Sequence, residues 1–138
     1  MLKQHLPPHS ASQGPDETPL GRPNHALWGA AYLSSLGFPA HTTNIVGQHV
    51  AAKRYLTAVD ESYLEQLSEA SRGTLKHQGG PMDAAERRAF EGMEGWRECL
   101  QVRRWDDMAK VVGIEDETPR VADYVDVVEK VLRDAGDQ

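Results

Sequence analysis

Residues 48–60, QHVAAKRYLTAVD, set small and apolar side chains at helical spacing with two chemistry-bearing residues among them. With the preceding IVG, the spacing predicts one helix from Thr42 or Thr43 to about Leu56, on which Ile45, His49, Ala52 and Leu56 share a face. His49 therefore points inward among apolar neighbours, and Lys53, four residues on, leaves from the same side. An imidazole able to bind a metal then stands beside an ammonium able to bind an anion. A lone inward histidine is more often a satisfied core residue than a ligand. A second histidine and an inward lysine move the reading towards a site.

Working outward, HALWGAAYLSSLG after Asn24 predicts a preceding helix, with Asn24 as N-cap and His25, Gly29, Tyr32, Leu33 and Leu36 on one face. Gly37 supplies its C-cap, Pro39 blocks continuation, and the small residues at positions 29–31 let another helix approach closely. Downstream, Asp60 caps a third helix, ESYLEQLSEASRGTLKHQ, whose inner side carries Leu64, Leu67, Ser71, Thr74 and Leu75. The two hydroxyls either bond back to a helix carbonyl or line a polar pocket, and spacing does not separate these readings. GGP at 79–81 ends that segment. Asp83 and Glu86 then form a capping-box pattern for a short helix to about Met93, polar enough to be peripheral.

A further helix is predicted over 96–112, where Arg103, Asp106, Asp107 and Lys110 cluster around Trp105; Asp106 and Lys110 are an i,i+4 pair of the kind usually found on solvated faces. Thr118 and Pro119 open a last helix with Val121, Tyr124, Val125, Val128 and Leu132 in one stripe, closed by Gly136. Met and Trp positions fall at helical spacing and read as core. Six helices with no convincing strand and no internal repeat make the expected class all-α, a helical bundle. Residues 1–23, proline-rich and poor in core-forming side chains, read as an irregular or disordered leader, and 24–136 as the helical domain. His5 and His9 in the leader read as solvated tail residues.

The formal net charge of −6 argues against non-specific nucleic-acid or membrane-surface binding, which rely on clustered Lys and Arg. Cys99 is the one cysteine, so no intrachain disulfide forms and a reducing compartment is the default. With no apolar run near the length of a membrane span and no signal-peptide pattern, a cytoplasmic protein is expected. There is no Gly-rich phosphate loop, CxxC, HExxH or GxSxG. A Cys99–His77 thiol site is weaker than a buried, inert cysteine. What remains is a dispersed set: His25, His49, Lys53, Ser71, Thr74, Arg103 and Asp106. Two imidazoles and a carboxylate suit a divalent transition metal, and two cations with two hydroxyls suit a phosphate, phosphonate or carboxylate group.

The runs HALWGAAYLSSLGF, GQHVAAKRYLTAVD, LSEASRGTLKHQGG and RRWDDMAK, in that order, resemble the C-terminal two-thirds of HD-domain proteins of the phosphonate-cleaving di-iron oxygenase type, also described as predicted HD phosphohydrolases. The resemblance spans about residues 24–110. It implies a helical bundle holding iron, with His25 and His49 ligating one metal and Asp106 the other. It also implies that Lys53, Ser71, Thr74 and Arg103 bind the phosphonate of a small substrate. The chain departs from the family in having no His-Asp dipeptide, whose aspartate bridges the metals, so the site is expected to be incomplete. The enzyme reading is therefore a metal-dependent oxygenase or phosphohydrolase acting on a small phosphonate or phosphate compound. Its rival is a truncated, non-catalytic helical remnant binding an anion or a protein partner. A plain interaction module ranks last, because it leaves the inward His, Lys and Asp unexplained. Helices missing from the family bundle predict an exposed apolar face and self-association through it.

Overall fold

Glycine sets the ends of the helices around the site. In the computed structural model, which describes residues 24–137 and the backbone of Ser12–Gln13 and Pro19–Leu20, α1 (His25–Ser35) closes at Gly37. Gly37 takes φ 90°, and Phe38 N–H reaches back to Leu33 O while Gly37 N–H reaches Ser34 O, which satisfies carbonyls the helix leaves open. The same closure recurs where α5 (Glu69–His77) ends, with Gly79 at φ 104° and Gly80 N–H on Leu75 O.

The architecture is all-α. Eight α-helices are found among the described residues: α1, α2 (Ala40–Gly47), α3 (His49–Val59), α4 (Glu61–Gln66), α5, α6 (Ala84–Glu91), α7 (Trp96–Met108) and α8 (Val125–Gly136). Two of the expected helices are divided. The helix through QHVAAKRYL starts earlier, at Ala40, and breaks at Gln48, so His49 opens α3 rather than sitting mid-helix. The next breaks at Leu67, where the chain goes extended; Ser68 then accepts from Ser71 N–H and caps α5 anew, a cap-forming serine hidden inside an otherwise helical pattern. An antiparallel pairing of Ser12–Gln13 with Pro19–Leu20 is added to the helices; the rest of the expectation for residues 1–23 lies outside the described residues.

α3 is the central element and packs against α2, α4, α6 and α7. One side of it buries Ala52 and Tyr55 against Met82, Phe90 and Cys99, and Leu56 joins Tyr63 and Leu67 in an adjoining cluster. Tyr55, Phe90 and Trp96 stack at centroid distances of 5.2–6.3 Å. α6 is therefore not peripheral: its polar composition hides Phe90, which enters the core. Its capping box is as expected, with Asp83 accepting from Glu86 N–H and Glu86 accepting from Asp83 N–H. Arg54 ties three segments together, donating to Gly80 O at 2.8 Å and to both Glu86 carboxylate oxygens.

α1 lies against α2 through small residues: a Cβ on Gly29 would meet Val46 at 3.3 Å, and one on Gly47 would meet Ala30 at 3.3 Å. Its inner face differs from the expected one. Ala26 is buried, whereas Tyr32 and Leu36 are exposed and Asn24 sits in left-handed conformation with no side-chain cap bond. The last expected helix begins at Val125, after a short 3-10 turn over Val121–Tyr124, and Val121, Tyr124, Val125 and Val128 of its stripe are exposed. Trp28, Trp105 and Met108 are also exposed, so these Trp and Met positions are not core; Trp96, Met82 and Met93 are. Among the described residues, no helix is long and apolar enough to cross a membrane.

Candidate functional site

The other side of α3 is polar. His49 opens the helix and Lys53 follows one turn later; α1 brings His25, α7 brings Arg103, Asp106 and Asp107, α4 brings Tyr63, and α5 brings Ser71 and Thr74. The break at Gln48 matters here, because it makes His49, like His25, the first residue of its helix.

Lys53 is only 3% exposed. Its ammonium donates to Ser71 O at 3.2 Å and Thr74 Oγ1 at 3.0 Å, and it has no carboxylate partner among the described residues. Burial, then the charges of Arg103 and Lys110, lower its pKa to about 8. Thr74 bonds back to Ser71 O at 3.1 Å, the first of the two readings of its hydroxyl, and accepts from Lys53 with its lone pair. Ser71 Oγ receives Lys110 at 3.4 Å.

Arg103, 4% exposed, is fixed along one edge. Its Nε and Nη2 fork onto Asp107 at 3.0 and 2.8 Å, and Nε also reaches Tyr63 Oη at 3.2 Å. Tyr63 in turn donates to Asp107 at 2.5 Å. Burial pushes the Asp107 carboxyl up, but the hydrogen bonds from Arg103 and Tyr63 and the Arg103 charge outweigh it and hold it below its ordinary range. Burial and the Asp107 bond push Tyr63 up to about 12. The remaining nitrogen of Arg103, Nη1, stands 2.7 Å from His49 Nε2.

His49 is lowered to about 4, by burial and then by Arg103, so its ring is neutral at physiological pH. Its ring meets that of His25 edge-on, centroids 6.0 Å apart, and its Nε2 lies 3.7 Å from Asp106 Oδ2. Asp106 also faces Lys110 at 3.7 Å, the expected i,i+4 pair.

The structure thus sets His49 between His25, whose ring it meets edge-on, and Asp106, 3.7 Å from its Nε2, with Lys53, Ser71, Thr74 and Arg103 on the same side of α3. Two partners were missed. Arg103–Asp107 has the same i,i+4 spacing as Asp106–Lys110 and was legible; Tyr63 carried no signal beyond its place on a capped helix. A cleft of ≈ 210 Å³ lined by Tyr63, Gln66, Leu67, Arg104, Asp107 and Met108 opens beside the Tyr63–Asp107 pair and includes none of the four expected anion-binding residues.

As arranged, the donors do not fit a bound metal. Among the described residues no three His, Cys, Asp or Glu side chains group closely enough to hold an ion, and the lone pair of His49 Nε2 is taken by Arg103.

Known proteins share this chain's sequence over part of their length. It is 40% identical over 108 residues to (1-hydroxy-2-(trimethylamino)ethyl)phosphonate dioxygenase (glycine-betaine-forming) of Leisingera caerulea, covering 78% of this chain and 54% of the relative. It is 38% identical over 108 residues to hydroxymethylphosphonate dioxygenase of Gimesia maris, with 78% and 52% covered. An uncharacterised protein of Acanthamoeba polyphaga mimivirus is 41% identical over 93 residues, with 67% and 42% covered. The chain spans about half the length of the curated relatives it matches. No family model matches it.

Proposed function

We propose that this chain contains the anion-recognising half of a phosphonate-acting, oxygenase-like site, with Lys53 and Arg103 holding the phosphonate or phosphate group of a small molecule. One observation carries the reading: a nearly buried ammonium with no carboxylate partner among the described residues, held in place by Ser71 O and Thr74 Oγ1 within reach of two further cations. A buried cation without a counter-ion is costly unless a partner arrives. An oxyanion supplies that partner. The similarity to two phosphonate dioxygenases points to phosphonate as the anion.

In this reading Lys53 is a point charge beneath the anion, oriented by Thr74. Arg103 keeps one edge on Asp107, which leaves N–H groups of Nη1 and Nη2 for ligand oxygens. Iron, which the resemblance to the family implies, would require donors beyond His25, His49 and Asp106.

Calorimetric titration with methylphosphonate and with inorganic phosphate tests this directly. The wild-type chain is expected to bind either anion, and Lys53→Met to lose roughly tenfold or more in affinity, about 1.4 kcal/mol. Equal binding by the variant would overturn the assignment.

The exposed apolar residues of α1 (Leu27, Trp28, Tyr32) and of the α8 region favour a second reading, association through these faces. Light scattering across a concentration series decides it: a mass that stays monomeric removes self-association.

A further inference from the structure

A guanidinium does not lose its proton in a protein and has no acceptor, so Arg103 Nη1 donates to His49 Nε2. The proton of the neutral ring is therefore on Nδ1. That is the tautomer an imidazole adopts when a metal sits on Nε2. The ring is prepared for a cation, and the cation it holds is the protein's own.

We infer that Arg103 and a divalent metal exclude one another at His49 Nε2: the guanidinium holds the cation position on the ring, 2.7 Å from that nitrogen, and the Tyr63–Asp107 pair keeps it there. Three observations meet at this point. Metal–imidazole bonds are about 2.0–2.1 Å long, which leaves no room for a nitrogen 2.7 Å from the same lone pair. Asp106, the remaining anionic donor, is itself faced by Lys110. Arg103 is not free to drift, because Asp107 takes its Nε–Nη2 edge in a fork and Tyr63 braces both partners. Metal entry thus requires either rotation of the guanidinium off His49 or its capture by another anion. The inference concerns metal binding by the chain without an anion present, so it stands or falls separately from the phosphonate reading.

The test is Co²⁺ binding to the full chain, followed by visible absorption and calorimetry in the absence of phosphate or phosphonate. The wild type is expected to bind Co²⁺ weakly and Arg103→Met roughly tenfold more tightly or better, the size of effect that residues around a metal's ligands exert. Adding His49→Ala should cancel the gain. Arg104→Met removes the same charge from the next position of α7, where the side chain pairs with Asp60 instead, and should change nothing. Wild-type affinity equal to that of Arg103→Met, or an equal gain in Arg104→Met, overturns the inference. Should Arg103→Met fail to fold, long-range proton–nitrogen correlation spectra of the wild type decide alone. They must show His49 protonated at Nδ1 and bare at Nε2; the opposite tautomer contradicts the account.

Discussion

Ala52 and Lys53 are neighbours on α3 and lie at nearly the same depth, 0% and 3% exposed, yet they face two different interiors. Ala52 joins Tyr55, Met82, Phe90 and Cys99 in apolar packing that needs no partner beyond shape. Lys53 bonds Ser71 O and Thr74 Oγ1 beside the network of Arg103, Tyr63, Asp107 and His49, where every group depends on the charge or lone pair of the next. The first region contributes stability by removing apolar surface from water. The second is a network whose members are costly unless satisfied, and beside it lies the Lys53 ammonium, which has no counter-ion among the described residues. The difference teaches where to look for function: at equal burial, the side that spends stability is the side that recognises something.

The largest effects should come from cutting one anchor on each side. Phe90→Ala should lose about 3–5 kcal/mol through the cavity it leaves, and Arg103→Ala a similar ~3–5 kcal/mol by stranding Asp107 and Tyr63 in a half-buried site. Urea denaturation checks both. The two separate in anion binding, which only Arg103→Ala should weaken.

Lys53→Met sharpens the comparison because the two regions then predict opposite signs. Removing a buried charge should stabilise the chain at pH 7 by ~1–3 kcal/mol, and Ser71 O keeps Thr74 as a donor. The sign with pH follows from linkage. Native Lys53 releases its proton near 8, the unfolded chain at about 10.5, so between these values the unfolded state binds more protons and wild-type stability rises with pH. The advantage of Lys53→Met should therefore shrink from pH 8 to 10.5, as thermal melts at several pH values would show.

The smallest effect is Asp83→Ala, which removes the cap of α6 and should cost about 1 kcal/mol with anion binding untouched. A change in binding there would break the division between the regions.

The sequence was most informative where one residue carries its own local physics. Gly37, the Asp83–Glu86 box, the Asp60 cap and the burial of Lys53 all follow from spacing and side-chain chemistry, and the structure has them; His49, expected among apolar neighbours, is instead part-buried against Arg103, Asp106 and His25. The breaks at Gln48 and Leu67 were not legible, since both lie inside unbroken helical patterns. Phe90 was missed because one aromatic in a polar helix leaves no periodicity. The α8 stripe is apolar in sequence, but whether a stripe is covered depends on what lies opposite, and no pattern within the stripe encodes that. In the candidate site the sequence supplied the charged residues, while the Tyr63–Asp107–Arg103–His49 connection needed the fold to bring α3, α4 and α7 together.

The central claim is that Lys53 is a buried ammonium prepared for an anion. Its ¹⁵Nζ or ¹³Cε resonance, followed by NMR against pH with and without methylphosphonate, tests that most directly. The account predicts a midpoint near 8 in the free chain and a clear upward move when the phosphonate binds, because a nearby anion favours the charged form. A midpoint at the ordinary lysine value, unmoved by phosphonate, would contradict it.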